Sequence, residues 1–369
     1  MPLPKLFTPI QLGGITLPNR IVVSPMCQYS AQDGRMTDWH LMHLGQFACS
    51  GAGLMMVEAT GITPEGRISH GCTGLYDDAT EKAMARALEV YRKITKNPIG
   101  IQLAHAGRKA SAHPPFAGGK PLGPGDSPWQ AVAPSPIPFG EGWPAPHELS
   151  IKELKTVAEK FVAAANRAKR MGFEILELHS SHGYLLHEFL SPLSNQRKDS
   201  YGQERMRFPL EVAGAVRDAW PKERGLGARI SASDWVEGGL GPDDAVAYAR
   251  ELKRIGFDYV CVSSGAMVPQ ARIPLAPGYQ VPFAEKVKKG ASINVRAVGL
   301  IADPLQAEGI VASGKADMIA MARAFLDNPR WVWHAGERFG VKIDYPPQYS
   351  RSRHDQWPGA VIARPRETA

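Results

Sequence analysis

Short hydrophobic runs recur along the chain, and each is separated from the next by a stretch with helical spacing. The runs at 19–24, 54–60, 99–104, 173–179, 227–233, 257–264, 293–298 and 316–321 are apolar almost throughout, the pattern of strands covered on both faces. Between them the 3.6-residue period predicts helices over Thr37–Ser50, Asp77–Lys96, Ser150–Met171, 206–220, 242–255, 282–289, 303–314 and from about 327 onward. The third opens on Ser150 with Glu153 three residues later, the spacing of a capping box. Eight strand–helix units predict a (β/α)8 barrel. A doubly wound open sheet is the rival; eight strands and the lack of a GxGxxG at the first strand–helix turn favour the barrel.

Three segments stand outside this alternation. Residues 9–17 read as a hairpin turning at Gly13-Gly14, expected to plug the amino-terminal end of the barrel. The Pro/Gly-rich stretch 111–147 follows the third strand and is long enough to expect a functional loop. Residues 337–369 are too polar for a domain and are expected to lie across a neighbouring subunit. The division is thus a barrel over 1–336 and an extension over 337–369.

In parallel α/β proteins ligands meet the carboxyl ends of the strands. The fourth strand ends in His179-Ser-Ser-His182-Gly-Tyr184, two imidazoles and a phenol within six residues. The other strand ends offer Ser24, Pro25, Cys27 and Tyr29, then Ala59, then Gln102 and Lys109, then Arg229. Val298-Gly299 after the seventh strand and Ala322-Arg323 after the eighth suit a phosphate, because glycine admits close backbone approach and arginine offers a fork of donors. These positions alone imply a phosphorylated ligand. His179 and His182 could also pair on a metal, but His-x-x-His lacks the further ligands zinc takes. Arg229 could instead pair with a buried carboxylate such as Glu177, and Tyr184 could simply pack in its loop.

Composition narrows the class. The chain has 369 residues, 44% hydrophobic and 21% charged, with 31 prolines concentrated in the long loop. Its formal charge of +7 is scattered and not clustered, which argues against nucleic acid and weakly for small anionic ligands. The four cysteines, Cys27, Cys49, Cys72 and Cys261, show no CxxC spacing, so neither structural zinc nor an iron–sulfur cluster is expected. There is no apolar leader and no membrane-length apolar run, so a reducing cytoplasm with free thiols is the expected setting. His40, His43 and His70 are assigned no chemistry.

The segments LFTPIQLGGITLPNRIVVSPMCQYS, IQLAHAGRKA, LHSSHGYLLHEFLSPLSNQR, FDYVCVSSGA and PGYQVPFAEKV, in this order, closely resemble the old yellow enzyme family, in its bacterial thermophilic-like ene-reductase and xenobiotic reductase branch. The resemblance spans nearly the whole chain. It implies a barrel with non-covalent FMN, reduced by NADPH or NADH, that reduces the C=C bond of activated alkenes: enones, enals, maleimides and nitro compounds. It implies that Ser24, Pro25, Met26 and Cys27 line the flavin, that Ala59 and Gln102 meet its polar edge, and that Arg229 sits by N1. Val298, Gly299, Ala322 and Arg323 then surround the phosphate. His179 and His182 bind the substrate oxygen, Tyr184 donates the proton, Tyr29 orients the ligand and Lys109 stands at the mouth. The basic balance and Lys109 lean toward NADPH.

The same resemblance implies a homodimer, or a dimer of dimers, in which Arg351 or Trp357 enters the neighbour's site. Ala322 stands where relatives carry glycine, so a methyl is expected to crowd the phosphate. Tyr201-Gly202 runs directly into Gln203-Glu204-Arg205, a trimmed version of the usual segment. The competing reading is a metal-dependent barrel hydrolase using His179 and His182. The sequence names neither the physiological alkene nor the stereochemistry.

Overall fold

The computed structural model describes residues 2–364. Eight parallel strands close into a barrel: β1 (Ile21–Val23), β2 (Leu54–Gly61), β3 (Ile99–Ala104), β4 (Ile175–Ser180), β5 (Gly225–Ser231), β6 (Tyr259–Ser263), β7 (Asn294–Ala297) and β8 (Met318–Met321), with β8 pairing back onto β1. The eight helices of the shell are α1 (Asp38–Ala48), α2 (Asp78–Ile94), α3 (Ile151–Met171), α4 (Arg207–Ala219), α5 (Pro242–Ile255), α6 (Val281–Ala291), α7 (Pro304–Ala312) and α8 (Trp331–Phe339). The open-sheet rival is therefore excluded. At α3 the expected capping box is present: Ser150 N–H donates to Glu153 Oε2 at 2.7 Å, and the Ser150 hydroxyl accepts from Glu153 N–H at 3.3 Å. No helix among the described residues is long and apolar enough to cross a membrane.

Side chains alternate across each strand, so one set faces the helices and the other the barrel interior. The hairpin of Ile10–Leu12 and Ile15–Leu17 enters that interior from the amino-terminal end. Its Leu12 and Leu17 are fully buried among Val22, Met56, Ile175 and Met318. Burying each is worth roughly 1.5–3 kcal/mol, and the Gly14 N–H donates to the Glu223 carbonyl, tying the turn to the segment before β5.

Next along the axis comes a polar layer. Glu177 accepts from Gln102 Nε2 at 2.7 Å and from the Tyr259 hydroxyl at 2.9 Å, and it pairs with the Arg296 guanidinium. Glu177 and Arg296 are both 0% exposed. The carboxylate that could have claimed Arg229 is thus committed to Arg296.

On β2 the register slips between Val57 and Ala59, a bulge that takes Glu58 out of the alternation. Its carboxylate lies 3.2 Å from His40 Nε2 on α1 and accepts from Gln28 N–H at 3.1 Å. His40, given no part by the sequence pattern, therefore anchors the loop that follows β1.

The long loop is ordered by its own turns, Pro115–Ala117 and Pro124–Asp126, and by a short parallel pair, Val132–Ala133 with His147–Glu148. Arg108 holds it to the barrel by donating to the Ile137 and Pro138 carbonyls. At the other end of the chain α8 runs to Phe339, so the barrel extends past residue 336, and the extension packs first on its own subunit. Tyr345 stacks on Trp333 with ring centroids 3.9 Å apart, and Arg330 lies over both Trp333 and Tyr349. Arg364 closes the segment on Glu337 at 2.9 Å. Residues 365–369 of the expected extension lie outside the described residues.

Removing one partner of a buried pair leaves the other charge uncompensated, at a cost of about 3–5 kcal/mol. Glu177→Ala should therefore lower the urea unfolding free energy by about that amount; a change below about 1 kcal/mol in equilibrium unfolding would show that Arg296 finds other partners.

Candidate active site

The carboxyl ends of the strands gather most of the expected residues. His179 is the penultimate residue of β4, in register with Arg229 on β5. Residues three apart on an extended strand would point to opposite faces. The backbone instead turns left-handed at His182 (φ +58°) and Gly183 (φ +70°). That reversal brings the two imidazole rings to 5.2 Å and the His179 and Tyr184 rings to 4.7 Å.

The imidazoles are neutral. Burial, then Arg229 and other neighbouring bases, holds both histidines well below their usual range. Ser181 N–H lies 3.4 Å from His179 Nδ1, which leaves the proton on Nε2. His182 Nε2 lies 2.7 Å from the Ser263 hydroxyl. Burial raises Tyr184 well above the ordinary phenol range, so it stays protonated.

Among the described residues Arg229 donates only to the Ser263 hydroxyl, at 3.4 Å, and its Nε is buried with no partner. A buried N–H left without a partner is costly unless an acceptor arrives. Gln102 uses its amide N–H on Glu177, which leaves its carbonyl oxygen for a ligand. Above β7, Gly299 has φ +105°, and a Cβ there would meet Gln280 Nε2 at 2.6 Å. The left-handed conformation is what calls for glycine here. Arg323 is exposed at the start of the short helix Arg323–Asp327. Ala322 has φ −107° and packs against the core, so its own backbone makes no demand for glycine.

Just past the adjoining β1, Ser24 N–H donates to the Met321 carbonyl of β8, and Pro25, Met26 and Cys27 continue toward Tyr29, which is left-handed at φ +51°. Contact with Cys72, then burial, raises the Cys27 thiol well above its usual range, so it is no thiolate. Tyr29 meets Phe116 of the long loop edge to face at 6.0 Å. Lys109 donates to the carbonyls of His182 (2.9 Å) and Ala266 (3.1 Å) and sits over the Phe139 and Tyr184 rings. Arg351 and Trp357 are exposed on the extension.

The sequence reading named no residue at the end of β6. Ser263 stands there, between Arg229, His182 and Gln280, whose Oε1 accepts from both Ser263 (3.4 Å) and Ser264 (2.5 Å). The only signal was a pair of small hydroxyl residues where an apolar strand stops. Among the described residues no group of three or more His, Cys, Asp or Glu could hold a metal ion.

Lys109 should report on this arrangement. Burial lowers its ammonium from the ordinary 10.5 to about 8. A base whose folded pKa is depressed is protonated more readily in the unfolded chain, so its contribution to stability improves as pH rises from about 8 toward 10.5. Unfolding free energies of the native chain and Lys109→Met, compared at pH 7 and 9.5, should move in favour of the native chain at the higher pH. An unchanged difference would mean an ordinary, solvated lysine.

Residues 5–339 match the family model described as the NADH:flavin oxidoreductase / NADH oxidase family. The chain is 44% identical over 351 residues to an NADPH dehydrogenase of Geobacillus thermodenitrificans, covering 94% of this chain and 98% of that one. It is likewise 44% identical over 353 residues to an NADPH dehydrogenase of Bacillus licheniformis, covering 94% and 98%. Among solved structures it resembles morphinone reductase, with a TM-score of 0.75 at 29% identity over 94% of this chain and 92% of that one.

Proposed function

The chain belongs to the NADH:flavin oxidoreductase / NADH oxidase family, and from that premise we propose that it is an NADPH-dependent ene-reductase acting on activated alkenes. It is an FMN oxidoreductase of the old yellow enzyme type, and its family leaves the metal-dependent hydrolase without support. The observation that carries the substrate reading is the pair of neutral imidazoles, His179 and His182, beside an arginine with no carboxylate partner.

The residues present fit FMN. Arg229 offers a half-buried cation without a carboxylate partner, Gly299 a cradle that any Cβ would fill, and Gln102 a spare amide oxygen. Arg229, Ala59 and Gln102 would hold the polar edge of the ring, Ser24 to Cys27 its side, and Val298, Gly299, Ala322 and Arg323 its phosphate. FMN, when bound, supplies hydride chemistry: it accepts a hydride from NADPH and passes one to the β-carbon of the alkene.

The chain's own residues do the rest. His179 donates its Nε2 proton to the carbonyl or nitro oxygen, where negative charge develops as the hydride arrives. His182 exchanges Ser263 for the same oxygen, and a developing oxyanion is the stronger acceptor of the two. Neutral imidazoles are suited to this, since they stabilise the charge without surrendering a proton to it. Tyr184 gives its proton to the α-carbon and is reprotonated from solvent. Tyr29 and Lys109 shape the mouth. Nothing in this cluster selects among enones, enals, maleimides and nitro compounds.

The visible spectrum of the purified protein tests the reading. A flavin band should bleach with anaerobic NADPH and return on adding 2-cyclohexenone. Tyr184→Phe should bleach as fast, yet return on the order of 10²–10⁴ times more slowly. Absence of a flavin band after FMN is supplied would sink the proposal, and equal recovery in Tyr184→Phe would move the proton to another donor.

We further propose that the active form is a homodimer or a dimer of dimers, with Arg351 or Trp357 of one copy entering the site of the next. Both side chains are exposed, which supports the idea. Arg351→Ala or Trp357→Ala should raise the KM for the enone several-fold without altering the unfolding temperature. If neither moves KM, the shared site is wrong.

A further inference from the structure

Below the His182–Gly183 turn lies a buried imidazole–carboxylate pair that the mechanism does not use. His187 belongs to the short helix Leu185–Leu190, and Asp234 to the segment following β5. Both are 0% exposed, and His187 Nε2 lies 3.2 Å from Asp234 Oδ1. The approach is off the line of an ideal N–H···O bond, so the hold is largely one of charge and dipole. Asp234 Oδ2 is fixed by the Ser191 hydroxyl at 2.7 Å and by the Leu240 N–H at 2.9 Å.

The other ring nitrogen faces the active site. His187 Nδ1 accepts from Gly183 N–H at 2.9 Å. That bond fixes the tautomer, with the acceptor lone pair on Nδ1 and the proton on Nε2, toward Asp234. Gly183 is the pivot of the left-handed turn and stands between His182 and Tyr184. A Cβ at Gly183 would meet the Ala266 carbonyl oxygen at 2.4 Å, so the turn is also wedged against the segment after β6. The adjacent amides are held too: His182 N–H by Ser231 Oγ at 3.2 Å, Tyr184 N–H by the Ser181 carbonyl at 3.2 Å, and Leu185 N–H by the His105 carbonyl at 3.0 Å. Of these four bonds, the one at the pivot alone is made by a side chain whose tautomer a second residue sets.

We infer that His187, oriented by Asp234, is a positioning residue that holds Gly183 and thereby the angle between His182 and Tyr184. The two halves of the arrangement separate physically. The Gly183 N–H needs an acceptor, and supplying one sets the geometry of the turn. Asp234 needs a partner for its buried charge, and supplying one sets stability. Against the burial that raises it, the contacts from His187, the Leu240 N–H and Ser191 hold the Asp234 carboxyl below its usual range, so the charge persists at neutral pH.

This rests on the ene-reductase reading only for its kinetic arm. His187→Leu removes both roles; His187→Asn offers a carbonyl oxygen to Gly183 N–H but no match for the Asp234 charge. With FMN bound, His187→Leu should lose at least tenfold in kcat for 2-cyclohexenone and several degrees of unfolding temperature. His187→Asn should recover most of kcat while the unfolding temperature stays low. Amide hydrogen exchange over residues 180–187 should quicken in His187→Leu and return toward the native rate in His187→Asn. If His187→Leu does not fold, Asp234→Asn, which withdraws the charge that sets the His187 tautomer, should lower kcat and quicken exchange over residues 180–187, and native kcat and exchange in that variant would overturn the inference. Equal loss of kcat and of protection in the leucine and asparagine variants, or native values in His187→Leu, would overturn the inference. A native enzyme that fails to turn over the enone would count against the ene-reductase reading, while the exchange rates would still decide the role of His187.

Discussion

A carboxylate in the middle of a barrel must be neutralised where it stands, and Glu177 is. Transfer of an isolated ion into a protein interior costs several kcal/mol even after relaxation. Gln102, Tyr259 and Arg296 surround Glu177 from three other strands, so its satisfaction requires β3, β6 and β7 to be in place at once. The layer divides the interior. On one side the hairpin fills the barrel with leucine and isoleucine; on the other the side chains at the next inward positions, His179 and Arg229, are free of that task. The mouth of the barrel can be polar because the charge below it is already paired.

That division explains the electrostatics of the cluster. Arg229 and Arg296 occupy positions aligned with the same residue of β6, Cys261, yet they have opposite circumstances. Arg296 has a carboxylate and no exposure, while Arg229 is half-buried and has only a serine hydroxyl, although both leave a buried Nε without a partner. One arginine is structural and the other is poised for an acceptor. The positive field of Arg229 in turn helps keep His179 and His182 neutral, which is the state the proposed oxyanion role calls for.

Much of this was legible in the residues. Buried parallel strands announce themselves as short apolar runs, and all eight were placed to within a few residues. Ser150 and Glu153 declared their helix start through local chemistry that needs no tertiary context. The strand-end rule located His179, Tyr184, Arg229 and Gly299 because a barrel displays those positions whatever its sequence. Cross-strand partners were not legible. Which of two arginines meets Glu177 depends on barrel stagger, and a fully apolar strand carries no alternation from which to read it. The bulge at Glu58 has no turn residue to mark it, so His40 could not be matched with its carboxylate. Ser263, His187 and Asp234 were invisible for a similar reason: each acts through a partner distant in sequence.

The unpaired arginine also bears on how the protein holds together. A native fold tolerates few buried polar groups without partners, and Arg229 Nε is one. Its cost is carried by the rest of the barrel, including the plug and the Glu177 layer beneath. An anionic ligand edge that satisfies Arg229 removes that cost only in the folded state, because the unfolded chain solvates the guanidinium with water. Binding and folding are therefore linked through this side chain: whatever acceptor meets Arg229 stabilises the barrel by mass action. The same argument runs in reverse for affinity. An arginine already matched by Glu177 would have to give up that partner before it could hold a ligand, and the ligand would gain little. By placing the carboxylate one layer down and giving it to Arg296, the fold keeps the full interaction of Arg229 for the molecule at its mouth.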